Sequence, residues 1–151
     1  MTTMTELELR HWLNRAFYAD KKARALDSLV QQLRERAQGL SGCGERNDKG
    51  KSDGTVNGTE NALLKLAEIE RKALDLKLEC ADILSETLTA IWKLEDDDLE
   101  AVLINRYALF YTIEQTAEIM HYSPRTVRKK QKQAIEKLCL KMPCNAYCDV
   151  L

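Results

Sequence analysis

Residues 111–138 read YTIEQTAEIMHYSPRTVRKKQKQAIEKL, and they contain two helix starts and one anomaly of charge. Thr112 with Gln115 three positions on has the form of a capping box, in which each side chain satisfies the other's free backbone N–H. That predicts a short helix through Met120. Ser123 followed by Pro124 supplies an N-cap and a proline at the first helical position, where its missing N–H is no loss. The second helix is predicted to run to about Leu140, with Pro143 just beyond. Residues 125–138 of it carry six Lys and Arg. The whole chain has 23 Lys and Arg against 24 Asp and Glu, so a net charge of −1 conceals a strongly basic local surface. The acids are concentrated too, with five in EDDDLE at 95–100.

Counting about 100° per residue from Val127, the side chains of Ala134, Ile135 and Leu138 form one apolar stripe. Arg125, Lys129 and Lys132 gather on the opposite side with Gln133 adjacent, and Arg128 and Lys130 flank them. Ala117 is small enough for two helices to cross closely. Tyr122 and Val127 are expected to fill the angle between them, with Ile119 and Met120 behind. A helix apolar on one side, cationic on the other and entered through a tight turn suits insertion into the major groove of DNA. There Arg pairs with guanine, Gln with adenine, and Lys mainly neutralises phosphate. The blander reading is a solvated basic face balanced by the acids of residues 95–100.

Upstream, Asp96, Asp97 and Asp98 suit the positive N-terminal end of a helix running to about Leu109. Leu99, Val102, Leu103 and Tyr107 share one face of it. Further upstream the apolar period becomes seven. Leu9, Ala16, Ala23, Val30 and Ala37 form one row, and Trp12, Ala19, Leu26, Leu33 and Leu40 the other. The pattern returns in Ala62, Ile69, Leu76, Ile83 and Ala90, paired with Leu66, Ala73, Cys80, Thr87 and Leu94. All six glycines lie between Gly39 and Gly58, so a polar, flexible loop at 39–58 separates two long helices. These are expected to fold back as an antiparallel hairpin. Leu13, Phe17, Leu29, Leu84, Leu88 and Ile91 widen its stripe and leave surface for a third partner.

The stretch LEDDDLEAVLINRYALFYTIEQTAEIMHYSPRTVRKKQKQAIEKL resembles region 4 of sigma-70-type factors. The matching features are the helix ending in Arg106 and Tyr107, the TIEQTAEIM helix, the SPRTV entry and the closing AIEKL. The resemblance covers about residues 94–140. The whole chain is similar in architecture to the ArpU and RinA-type activators of phage late genes. The resemblance implies a helix-turn-helix domain whose DNA-facing set is Gln115, Ser123, Arg125, Thr126, Arg128, Lys129, Lys132 and Gln133. Gln115 and Ser123 would contact phosphate. His121 stands where such a turn usually has Gly, and His tolerates a left-handed conformation better than most residues. Thr116 and Gln131 occupy positions more often aliphatic, which predicts looser packing. No region 2 is recognisable, so a self-sufficient sigma factor is not expected.

Other signals carry less. Cys139, Cys144 and Cys148 match no common zinc spacing and read as reduced thiols in a partly ordered tail. The aspartates at 96–98 lack the convergent acids of a divalent-metal site, and the glycines form no phosphate loop. Neither a secretory signal nor a membrane span is evident, and nothing supports catalysis or a cofactor. The expectation is an all-α protein of the host cytoplasm. It has a helical hairpin at 5–94, a helix-turn-helix domain at 95–141 and a tail at 142–151. Its expected role is sequence-specific binding of double-stranded DNA as a phage transcription regulator. It would act with host RNA polymerase and form a homodimer through the hairpin. Two alternatives are a DNA-packaging recognition subunit, and an interaction module that grips polymerase without reading DNA.

Overall fold

The computed structural model describes residues 4–41 and 55–142, with side chains at 4–38 and 60–142. Among the described residues the regular structure is entirely helical. Helix α1 spans Glu6–Ser41 and α2 spans Thr55–Ile91, followed by a single 3-10 turn at Trp92–Leu94. Helix α3 (Asp97–Leu103) widens into a π turn at Ile104–Ala108, and α4 (Ile113–Met120) and α5 (Pro124–Lys141) complete the order. The glycine-rich joint is shorter than 39–58, because α1 runs to Ser41 and α2 opens at Thr55. Residues 42–54 with Cys43, and the tail beyond Met142 with Cys144 and Cys148, lie outside the described residues. No helix among the described residues is long and apolar enough to cross a membrane.

Contacts divide the chain into two compact units, one of residues 1–19 with 80–151 and one of residues 20–79. In the first, Met4, Leu9, Trp12 and Leu13 share one core with Ala90, Ile91 and Leu94. The same core takes in Leu99, Leu103 and Tyr107 and, from α5, Ala134, Ile135, Leu138 and Cys139. The expected boundary at Glu95 therefore does not separate two cores. Helices of 7, 8 and 18 residues are too short to bury their own apolar faces, and the ends of the two long helices supply the missing cover. Thr87, the one polar residue in the heptad rows, is fully buried there, its hydroxyl donating to the Ile83 carbonyl at 2.8 Å.

Three joints of this unit turn on non-glycine residues with left-handed backbone: Glu95 (φ 56°), Phe110 (φ 60°) and His121 (φ 55°). His121 was legible as such a position; Glu95 and Phe110 were not. The Phe110 joint is held by Arg106, whose guanidinium donates to the Tyr111 carbonyl. Phe110 in turn meets Phe17 edge to face with ring centres 5.6 Å apart.

The second unit consists of the middle of α1 and the first part of α2. Its buried apolar residues, among those described, are Ala23, Val30 and Ala73. Leu26, Leu33, Leu66, Ile69 and Leu76 of the heptad rows are half-buried, while Ala37 and Ala62 are exposed. Lys77 pairs with Asp27 at 2.7 Å and Arg34 with Glu70 at 2.6 Å.

Because Leu13 is completely buried in the shared core, Leu13→Ala is expected to cost about 2–5 kcal/mol. Hydrogen exchange should show the same loss of protection at the amides of α5. Unchanged α5 protection would mean that residues 95–142 hold together without α1.

Candidate nucleic-acid interface

Both helix starts have the expected caps. The Thr112 hydroxyl accepts from the Gln115 N–H at 3.2 Å, and the Gln115 side-chain oxygen accepts from the Thr112 N–H at 2.9 Å. At the other end His121 takes the left-handed conformation, and the Tyr122 N–H donates to the Ala117 carbonyl at 2.9 Å. Ser123 then caps α5, its oxygen accepting from the Thr126 N–H at 3.1 Å while the two hydroxyls lie 2.8 Å apart. This turn delivers α5 at a fixed angle to α4.

Val102, Ala117 and Val127 fill that angle, with Ile113, Met120 and Tyr122 packed around them. Ile119, expected behind them, is instead 52% exposed. Helical rotation carries it past the contact, and Ile113 from the first turn of α4 takes the place. The two polar residues expected to loosen the packing do not. The Thr116 hydroxyl donates back to the Thr112 carbonyl at 2.9 Å, and the Gln131 amide donates to the Tyr107 hydroxyl at 3.0 Å. A buried polar group with a partner costs little; without one it costs about 1–3 kcal/mol.

The acids at the start of α3 divide the cations of α5. Lys130 reaches Asp98 at 3.0 Å, Lys137 reaches Asp96 at 3.3 Å, and Lys141 lies 3.5 Å from Glu95 while donating to the Lys93 carbonyl. The Tyr122 hydroxyl also donates to Asp98 at 3.1 Å, and the Lys130 ammonium sits 5.1 Å from the Tyr122 ring centre. The hydrogen bond from Lys130, then that from Tyr122, holds the Asp98 carboxyl below the usual carboxylate range. Asp96 is lowered chiefly by the Leu99 N–H that it caps, and Lys130 is raised by its bond to Asp98.

A different set of cations is left over. Arg125 and Lys129 are exposed, and among the described residues no carboxylate pairs with either. Arg128 and Lys132 keep only long, exposed contacts, to Glu114 at 3.8 Å and Glu136 at 3.7 Å, of a kind worth little in water. These four lie on the N-terminal half of α5 beside the capped turn. Of the remaining expected residues, Ser123 and Thr126 border that turn, their oxygens partly engaged in capping, whereas Gln115 lies at the other end of α4, its side-chain oxygen held by the Thr112 N–H. Gln133 stands elsewhere. It lines a cleft of about 420 Å³ with Asp96, Asp98 and Lys137, on the side where the acids are. Lys137 and Lys141 were missed as paired residues, although their spacing from Lys130 puts all three on one line of the helix.

Cys139 is buried, and burial pushes its thiol upward. Among the described residues no group of three metal-binding side chains forms. No protein-family model, curated protein or solved structure matches the chain.

Asp98 is lowered on folding, so the stability it contributes is complete above the ordinary value of 3.8 and is lost as pH falls through the lower folded value. Asp98→Asn should therefore lower the urea midpoint at neutral pH. Wild type and variant should converge once the pH has fallen below that lowered folded value. Midpoints that stay apart in acid would assign the effect to something other than the charge.

Proposed function

We propose that the chain binds double-stranded DNA sequence-specifically through α4 and α5, read as a helix-turn-helix similar to region 4 of sigma-70-type factors. The observation that carries this is the division of charge on α5. One line of lysines is neutralised by Glu95, Asp96 and Asp98, and Arg125, Arg128, Lys129 and Lys132 remain together at the helix entrance. A fold that merely needed balanced charge has no reason to leave two unpaired and two loosely paired cations together near a capped, tightly packed turn. Arg at that place can read guanine in the major groove while Lys neutralises phosphate. Ser123 at the turn and Gln115 at the N-terminal end of α4 would contact backbone phosphate, and Gln133 is withdrawn from the set.

The biological role we infer is transcription control in a bacterial cytoplasm, as a phage activator similar to the ArpU and RinA types and acting with host RNA polymerase. The two long helices are read as an antiparallel hairpin: in the 20–79 unit, Asp27 pairs with Lys77 and Arg34 with Glu70, so the numbers run oppositely. The hairpin would bring two copies together, since one domain of this size reads few base pairs and a two-fold dimer doubles the site. The neutralised lysine line favours one second reading, an interaction module that grips a protein partner, because half of the basic helix serves the fold rather than a ligand.

Selection of fragmented phage and host DNA on the purified protein separates these readings. Specific sites should be enriched, and enrichment should vanish in Arg125→Ala/Lys129→Ala while surviving in Lys137→Ala. With four phosphates neutralised, the log–log dependence of affinity on salt should have a slope of roughly −3.5. A slope near zero, or equal enrichment by the double variant, would overturn the reading.

A further inference from the structure

We infer that the unit of residues 20–79 pairs with a second copy of this chain, through the face where α2 carries exposed leucines. This rests on the dimeric reading above and specifies its surface and symmetry.

The unit has its apolar residues in an unusual order. Two alanines and one valine are buried inside, while Leu63, Leu74 and Leu78 of α2 are 55%, 57% and 58% exposed. At 3.6 residues per turn these leucines form a stripe with Ala67, roughly a third of a turn away from the row facing α1. The opposite flank of α2 is charged, with Lys65, Glu68, Lys72 and Glu79. Such a core is too small to stabilise two helices in isolation, and an apolar stripe of this kind is stable when covered.

Charge identifies what covers it. The leucine side borders a groove of about 600 Å³ lined by Val30, Gln31, Ala73 and Leu74, with two ion pairs on its rim. Along α1 the rim reads Asp27 then Arg34; along α2 it reads Glu70 then Lys77, each one heptad apart and of opposite sign. Take a two-fold axis lying in this face, perpendicular to the helices and midway along the groove. It lays Asp27 beside Arg34 of the partner subunit, and Glu70 beside Lys77 of the partner subunit. It also sets α2 against α2, bringing Leu74 close to its own copy. Turning the axis parallel to the helices would instead press the leucines onto the polar flank of α1, formed by Asp27, Gln31 and Arg34. The face is thus complementary to itself in both sign and polarity, which a surface built for an unrelated partner has no need to be.

The symmetry makes a specific test possible by sedimentation equilibrium on the full chain. Asp27→Lys/Lys77→Asp keeps the ion pair within each copy but puts like charges across the axis, and should weaken the dimer roughly tenfold or more. Adding Arg34→Glu/Glu70→Arg should restore it. Leu74→Glu should yield a monomer with unchanged helix content by circular dichroism, because the residue is already largely exposed. A wild type that is monomeric at all concentrations would overturn this inference together with the dimeric reading. A dimer indifferent to Leu74→Glu and to the single swap would overturn this face alone and leave dimerisation standing. Adding polymerase to the same samples reports the competing occupant: monomeric chain binding it only with Leu74 intact would also overturn the self-pairing.

Discussion

Three carboxylates at the entrance to α3 govern the electrostatics of the helix that crosses them. Glu95, Asp96 and Asp98 meet Lys141, Lys137 and Lys130 in reverse order, as two segments running in opposite directions require. Asp96 has two tasks, since it also caps α3 through the Leu99 N–H at 3.3 Å. Asp98 likewise holds the Tyr122 hydroxyl, so the turn ahead of α5 is tied to α3 and not only to α4. Each bond is exposed and individually weak. Their joint effect is positional: they pin the edge of a helix whose rotation is set by the burial of Val127, Ala134, Ile135 and Leu138, and that rotation determines which cations face outward.

Much of this was legible in the sequence, for identifiable reasons. Caps and turns are local, so Thr112, Gln115, Ser123 and Pro124 announced two helix starts that the structure has at those residues. Heptad spacing likewise predicted that Leu9, Ala16, Ala23 and Val30 would be buried. What could not be read depends on contacts between distant segments. That Leu13 and Ile91 complete the same core as Leu138 follows from no period within any one helix. Gln131 looked like a packing defect because its partner, the Tyr107 hydroxyl, sits on another element. Gln133 looked like part of the cationic face until the acids of α3 were placed next to it. Ile119 was misplaced because α4 is so short that a single residue of rotation exchanges buried for exposed.

The two units reach stability by opposite arrangements. In the first, large side chains such as Leu9, Trp12, Ile91 and Leu138 are inside, and the polar groups among them have partners. In the second, the small residues Ala23 and Ala73 occupy the interior with Val30; Leu26, Leu33, Leu66 and Leu76 are half-buried, and Leu63, Leu74 and Leu78 stand outside. The first arrangement makes a self-contained core. The second makes a pair of helices with a small interior of alanine and valine and large apolar side chains on part of its otherwise charged surface, as suits a part that is completed by assembly.

The shared core of the first unit also sets the order of events in folding. Leu9, Trp12 and Leu13 are made before Ile135 and Leu138, with which they share a core. Helical proteins usually fold fast because their contacts are local; here the decisive contacts join segments far apart in the chain, and the entropy of closing that span must be met before any of them forms. Until α5 has emerged, the first turns of α1 present unsatisfied apolar surface, open to proteases and chaperones. Synthesis through α5 is therefore a precondition for shelter of α1, and a chain truncated before it leaves a persistent sticky end.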